Sequence, residues 1–254
     1  MTTLFSGLTA DTLLTLALQL AILAAMIAAV CLGRRRTPDL PSLTWLFGAL
    51  AVTLLALFLS PAALIAPGLQ LAWNWDGKVL SILATFAIIA AAPGLSFREA
   101  GFTLSQNGGT RPALLCAALT CIVLWTASYT LFTPAAPPTV EALAFQATMP
   151  GLHEEPLFRG MALLLLARAI APVDDRRFNL MGARIGWGGV LITLFFALGQ
   201  GVAVFQSQPM ISWVGVMFSA AAGFALLWMR ERTGSLVIPI LAHNVLSVGN
   251  QFLG

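Results

Sequence analysis

Gly151-Leu-His-Glu-Glu-Pro-Leu-Phe-Arg-Gly160 is the stretch whose reading decides the fold. It sets a histidine, two adjacent carboxylates and an arginine inside a run with the apolar length of a membrane span. An ionisable side chain at that depth costs roughly 2.5–3.5 kcal/mol on insertion scales. A cluster of four therefore needs partners or a job.

The spacing inside the stretch separates the two acids. Glu155 and Arg159 stand at i and i+4, on one helix face, and can form an ion pair. Glu154 is rotated by about 100° from Glu155 and projects in another direction. One carboxylate is thus neutralised by Arg159, and the other is left for different work. A carboxylate without a partner in a low-dielectric site suits a general base acting on water. Pro150 and Pro156 each remove a backbone donor, so the helix is expected to kink around the acids. His153 is expected in a supporting or packing role. His153-Glu154-Glu155-Pro156-Leu157 begins like the zinc signature His-Glu-x-x-His, but Leu157 takes the second histidine position. Neither a metal nor another cofactor is expected.

The surrounding chain explains why such a stretch lies in a membrane. Of 254 residues, 59% are hydrophobic and only 9% charged, with a mean hydropathy of +0.89. Soluble domains carry about 25% charged residues, so the composition is that of an all-α, polytopic helix bundle. Eight apolar runs near the required ~20 residues cover residues 10–32, 43–66, 78–94, 111–133, 141–169, 184–206, 209–230 and 235–253. The first run lacks a basic flank before it and is long enough to stay as a helix rather than be cleaved as a signal. No internal repeat or soluble domain stands out, so residues 1–254 read as one integral-membrane domain.

The basic residues orient it. Arg34, Arg35, Arg36, Arg98, Arg111, Arg168, Arg176, Arg177, Arg184, Arg230 and Arg232 fall beside odd-numbered loops. Lys78 stands alone on the other side, and Arg159 lies in the membrane. Arginine-rich loops mark the cytoplasmic face, which puts both termini on the non-cytoplasmic side. The positive charge therefore reports topology and no nucleic-acid partner. Trp73 and Trp75 suit an interfacial belt. Residues 95–109, mixed and ending in glycines, read as a short segment on the cytoplasmic face, and 133–139 (Thr-Pro-Ala-Ala-Pro-Pro-Thr) as a stiff outer loop. Cys31, Cys116 and Cys121 lie in apolar runs without metal-type spacing and read as packing residues.

The remaining intramembrane polar residues are few. Counted along its run, Glu154 lies about 20 Å from either end, near the midplane. In the last run His243 and Ser247 are i and i+4, and Asn244 and Ser247 are i and i+3, so each pair offers a polar stripe to a neighbouring helix. Such groups can orient water or stabilise an oxyanion. Gln200 is an uncharged donor and acceptor that can join them. Asn250 and Gln251 are expected to be solvated at the outer interface.

These residues resemble a known family. Glu154-Glu155-x-x-x-Arg159-Gly160 is similar to the Glu-Glu-x-x-x-Arg motif of the CPBP intramembrane glutamic endopeptidases, which comprise the type II CAAX prenyl endopeptidases and the bacterial Abi group. Thr233-Gly-Ser-Leu-Val-Ile-Pro-Ile-Leu-Ala-His243 resembles the approach to their third motif. Phe196-Ala-Leu-Gly-Gln200 falls where the second, Phe-x-x-x-His, is expected. The resemblance covers residues 95–250 and leaves the spans within 10–94 as additions. It implies a helical bundle with a membrane-embedded cavity, Glu154 as the base, Glu155 and Arg159 as its support, and His243 as an oxyanion or water ligand. Gln200 stands where the family has histidine, and Ser247 where it has Asn or Asp. Glutamine can still donate to an oxyanion but cannot shuttle a proton near neutrality.

The expected activity is intramembrane hydrolysis of a peptide bond in a membrane-associated protein or peptide. The expected location is the bacterial inner (plasma) membrane. The alternative is a silent relative that keeps the polar cluster as structure and serves as a membrane scaffold or complex partner. No inverted repeat or pair of broken helices favours a transporter.

Overall fold

The computed structural model describes residues 8–59, 71–132 and 137–253. Residues 1–7, 133–136 and 254, with 60–70 at the end of the second apolar run, lie outside the described part. The start of the chain and half of the proline-rich loop are therefore not treated further.

Helices form where apolar runs meet capping residues. α1 (Ala10–Arg34) starts behind Thr9, whose hydroxyl accepts from Thr12 N, and ends in Arg34. α2 (Leu40–Ala56) starts behind Asp39, which accepts from Ser42 N. Asn74 caps α3 (Trp75–Ala91) in the same way. α4 (Thr110–Leu131) follows a glycine turn. Ser212 caps α9 (Trp213–Thr233), which stops at Gly234 in the left-handed region. These side chains satisfy amide donors that the first turn leaves without partners. α10 (Val237–Leu253) ends the chain. α1, α4 and α9 are each long and apolar enough to cross a bilayer, and α2, α8 (Trp187–Gly201) and α10 are shorter apolar helices. The molecule is a helical integral membrane protein.

Two expectations are corrected. The fifth run is not one helix. It folds as α5 (Val140–Gln146), a break at Ala147 and Thr148, α6 (Met149–Glu154), a π-helical stretch from Glu155 to Ala162, and α7 (Leu163–Ile170). Pro150 stands in the first turn after the break, where a missing N–H costs nothing, and Pro156 stands at the second position of the π stretch, where the α-helical hydrogen-bond pattern changes. The widened π stretch begins at Glu155, directly after Glu154, a placement common at functional sites.

The bundle also is not all-α. β1 (Arg177–Leu180) pairs antiparallel with β2 (Ala183–Gly186), and β3 (Val202–Phe205) with β4 (Gln208–Ile211). Both hairpins close through two residues of positive φ, Met181-Gly182 and Gln206-Ser207, the geometry that suits strand twist. The sixth helix is shortened at both ends as a result.

α1 holds the second hairpin through three side chains spaced by four. The Asp11 carboxylate accepts from Gln206 N (2.7 Å) and Ser207 N (3.0 Å). Thr15 Oγ1 accepts from Val204 N at 2.7 Å, and Gln19 Nε2 donates to Val202 O at 2.9 Å. The main core lies among α2, α3, the π stretch, α7 and α8, around Leu46, Leu50, Ile89, Leu157, Met161 and Ile192.

The arginine-rich end is knit together by the arginines themselves. Arg34 pairs with Asp174 at 2.8 Å. Arg168 pairs with Glu99 at 3.6 Å and donates to the Gly94 carbonyl. Arg230 donates to the carbonyls of Glu99 and Arg159. These bonds pin the 95–109 segment, whose Phe97 and Phe102 pack edge-on against Phe86. At the opposite end Glu141 accepts from Ala72 N, Trp73 N and Trp75 Nε1, at 3.2, 3.1 and 3.2 Å. Trp73 also stacks on Phe145, centroids 5.0 Å apart. Both tryptophans thus join α3 to α5 rather than only lining an interface.

Candidate active site

α6 approaches α10 closely enough that Gly151 is obligatory. A Cβ there would sit 2.4 Å from Ile240 O. Gly151 N donates to Asn244 Oδ1 at 2.7 Å, and the contact brings His243 over the two acids. Asn244 is therefore spent on backbone rather than facing the cavity beside Ser247.

His243 bridges both carboxylates. Its Nδ1 lies 2.8 Å from Glu155 Oε1 and its Nε2 lies 3.7 Å from Glu154 Oε2. Glu155 Oε1 also accepts from Arg159 Nη1 at 3.2 Å. An ionised Glu155 can only accept, which assigns the ring proton to Nδ1 and leaves Nε2 turned towards Glu154. The gap at Nε2 is too long for a hydrogen bond. A water off the line between the two atoms can bond to both.

Arg159 is wholly buried. Besides Glu155 it reaches Gly223 O through Nη2 at 3.3 Å and lies 4.1 Å over the Phe196 ring. The expected i,i+4 clamp is thus present and tied to α8 and α9. Among the described residues, Glu155 Oε2 and Arg159 Nε have no hydrogen-bond partner.

Glu154 is not left alone, which corrects the expectation of an unpaired acid. Lys78 Nζ, from the first turn of α3, donates to Glu154 Oε1 at 2.7 Å and contacts His153 Nδ1 at 3.0 Å. The other ring nitrogen of His153 lies 2.8 Å from Ser81 Oγ, whose hydroxyl donates to Thr53 O at 2.7 Å. Donor accounting then closes. Ser81 Oγ accepts from His153 Nε2–H, so Nδ1 carries a lone pair and accepts from the ammonium. His153 is a neutral anchor for Lys78 and is buried to 1% exposure.

Two cavities meet at this group. One, of about 270 Å3, is lined by Lys78, Glu154, Gln200, His243, Ser247 and Asn250. The other, of about 300 Å3, opens towards α1 and shares Lys78, Glu154, Phe196 and Gln200. Gln200 and Ser247 thus face the same space as Glu154 and His243. So does Asn250, whose Oδ1 is buried with no partner among the described residues, contrary to the solvated position expected for it.

The cavity runs from the first turn of α3 and the last turn of α8 inward to Ser219, Ala222 and Leu226 in the middle of α9, and the neighbouring cavity reaches Thr12 in the first turn of α1. The break at Ala147 and Thr148 interrupts the helix between Glu141 and Glu154.

Lys78 is the residue that sequence reasoning missed. The available signal was that it is the chain's single lysine and the one cation apart from both the arginine-rich loops and Arg159.

Residues 136–248 match the family model described as Type II CAAX prenyl endopeptidase Rce1-like. The match runs from just before α5 into α10 and excludes α1–α4, hence Lys78. No curated protein and no solved structure matches the chain.

Proposed function

We propose, from the match of residues 136–248 to the Rce1-like type II CAAX prenyl endopeptidase family, that the chain is an intramembrane endopeptidase with Glu154 as its general base. Glu154 Oε2 takes a proton from a cavity water as that water adds to the substrate's carbonyl carbon. The same proton then passes to the departing amine. His243, held by Glu155 and Arg159, keeps Nε2 aimed at the water, and Gln200 offers an amide N–H from the facing wall. The observation that carries this reading is the convergence of Glu154 and His243, 3.7 Å apart, on a cavity that Gln200 and Ser247 also line.

The eight-span arrangement with both termini on the non-cytoplasmic side belongs to the same proposal. The paired arginines gather at the end opposite the cavity, so by the positive-inside rule the cavity opens away from the cytoplasm. A substrate is then a membrane-associated protein or peptide segment presented on that side, in a bacterial inner membrane.

Glu154→Gln keeps the size of the side chain and removes the base. It is expected to lower kcat by about 10²–10⁴-fold while purified yield and melting temperature stay close to wild type. The measurement is cleavage of membrane peptides by purified protein, read by mass spectrometry. Undiminished turnover in Glu154→Gln would sink the mechanism. Gln200 and Ser247, which depart from the family pattern, support the second reading of a silent scaffold. That reading expects no Glu154-dependent fragment from any peptide, and complex formation that survives Glu154→Gln.

A further inference from the structure

We propose that Lys78, a residue outside the family-matched segment, is a catalytic residue that takes over the oxyanion-binding work of the histidine replaced here by Gln200. The inference rests on the endopeptidase reading and deepens it.

Three observations carry it. First, an ammonium has three donors, and two are committed, to Glu154 Oε1 at 2.7 Å and to His153 Nδ1 at 3.0 Å. Those bonds orient the side chain, and among the described residues its third N–H meets no further acceptor. Second, Lys78 lines both cavities together with Glu154 and Gln200. A carbonyl attacked by a Glu154-activated water therefore develops its negative charge beside this ammonium. Third, the chain invests in holding the cation. His153, Ser81 Oγ and Thr53 O form a buried relay whose end is the Lys78 Nζ contact. A surface ion pair needs no such support.

The step balances without any further group. Glu154 removes a proton from water, the water oxygen bonds to the carbonyl carbon, and the carbonyl π pair moves onto oxygen. The Lys78 N–H holds that oxyanion, and Lys78 stays protonated throughout. The pair returns to re-form the C=O as the C–N bond breaks, and Glu154 passes its proton to the amine. A fixed ammonium in a site of low dielectric stabilises the oxyanion more than it does the neutral carbonyl, which is the condition for raising kcat rather than only lowering KM.

The test uses full-length protein in detergent and a mixture of synthetic single-span peptides and farnesylated cysteine-tail peptides. The reporter is a peptide that the wild type cleaves and Glu154→Gln does not. On it, Lys78→Met is expected to lose about 10²–10³-fold in kcat with KM moved by less than about threefold. Adding Gln200→His to Lys78→Met is expected to recover at least about tenfold, with a new fall in activity as pH rises through the range where the introduced imidazolium loses its proton. A Lys78→Met kcat within about threefold of wild type overturns the proposal, as does a double variant no better than Lys78→Met alone. Should Lys78→Met not fold, Lys78→Arg keeps the charge beside Glu154 but changes the direction of its donors. A wild-type kcat in that variant overturns the proposal as well. A wild type that cleaves none of the peptides refutes the endopeptidase reading and this one together. An active wild type with an unaffected Lys78→Met refutes this one alone.

Discussion

Removing Glu155 leaves a guanidinium buried in the bundle without its carboxylate, and the cost can be worked from the surroundings of Arg159. That side chain is fully buried. Its direct partners are Glu155 Oε1 at 3.2 Å, Gly223 O at 3.3 Å and the Phe196 ring at 4.1 Å. In Glu155→Ala the carbonyl and the ring remain, and neither carries a compensating charge. Breaking a buried pair from one side costs about 3–5 kcal/mol. A chain of this size loses about 2–4 °C of melting temperature per kcal/mol, so the drop is roughly 6–20 °C.

The control removes both ions. Glu155→Leu with Arg159→Met leaves no orphaned charge. Because Glu155 Oε2 and Arg159 Nε already lack partners among the described residues, the pair is incompletely satisfied, and the double variant is expected to regain most of the loss. The assay is tryptophan-fluorescence melting in micelles, for which the chain carries seven tryptophans. A Glu155→Ala melting temperature within about 1 °C of wild type refutes the reasoning. A double variant as unstable as Glu155→Ala shows that lost packing, and not the orphaned charge, sets the cost.

Further outcomes are expected elsewhere in the bundle. Gly151→Ala places a Cβ 2.4 Å from Ile240 O, so α6 and α10 must separate at a cost of about 1–3 kcal/mol, read as a lower melting temperature; an unchanged one contradicts the close approach. Asn244→Leu strands the buried Gly151 N–H and is expected to cost about 1–3 kcal/mol, with His243 displaced and turnover reduced. Asp174, outside the helices, is pulled below the usual carboxylate range mainly by its hydrogen bond to Arg176, with Arg34 adding to the effect. A depressed folded pKa gives stability that is complete above the unfolded value and lost as pH falls through the folded one. The melting difference between wild type and Asp174→Asn is therefore expected to hold from about pH 8 to about pH 5 and to close only in stronger acid; a difference that disappears by pH 5 refutes the assignment.

Much of the fold was legible because its signals are local. Hydropathy marked the helical segments, whereas the caps at Thr9, Asp39, Asn74 and Ser212 came only with the structure. The hairpins were hidden. Val202–Phe205 and Gln208–Ile211 are apolar enough to extend the neighbouring helices, and what makes them strands includes Asp11, Thr15 and Gln19, nearly the whole chain away. The site divides in the same way. Glu155 with Arg159 was readable as an i,i+4 pair, and His243 as the polar face of the last helix.

The sequence alone determined what single segments can express: a membrane-embedded helical chain, a buried acid pair with its own arginine, and a family-like order of motifs. Tertiary structure decided the electrostatics of Glu154 and which residues share its cavity. The bond from Lys78 to Glu154 spans 76 residues, and the break at Ala147 and Thr148 separates α5 from α6. The physical reason is that an i,i+4 contact is set by helix geometry alone. The partner of a buried charge is set by which helix end packs beside it, and no local spacing encodes that.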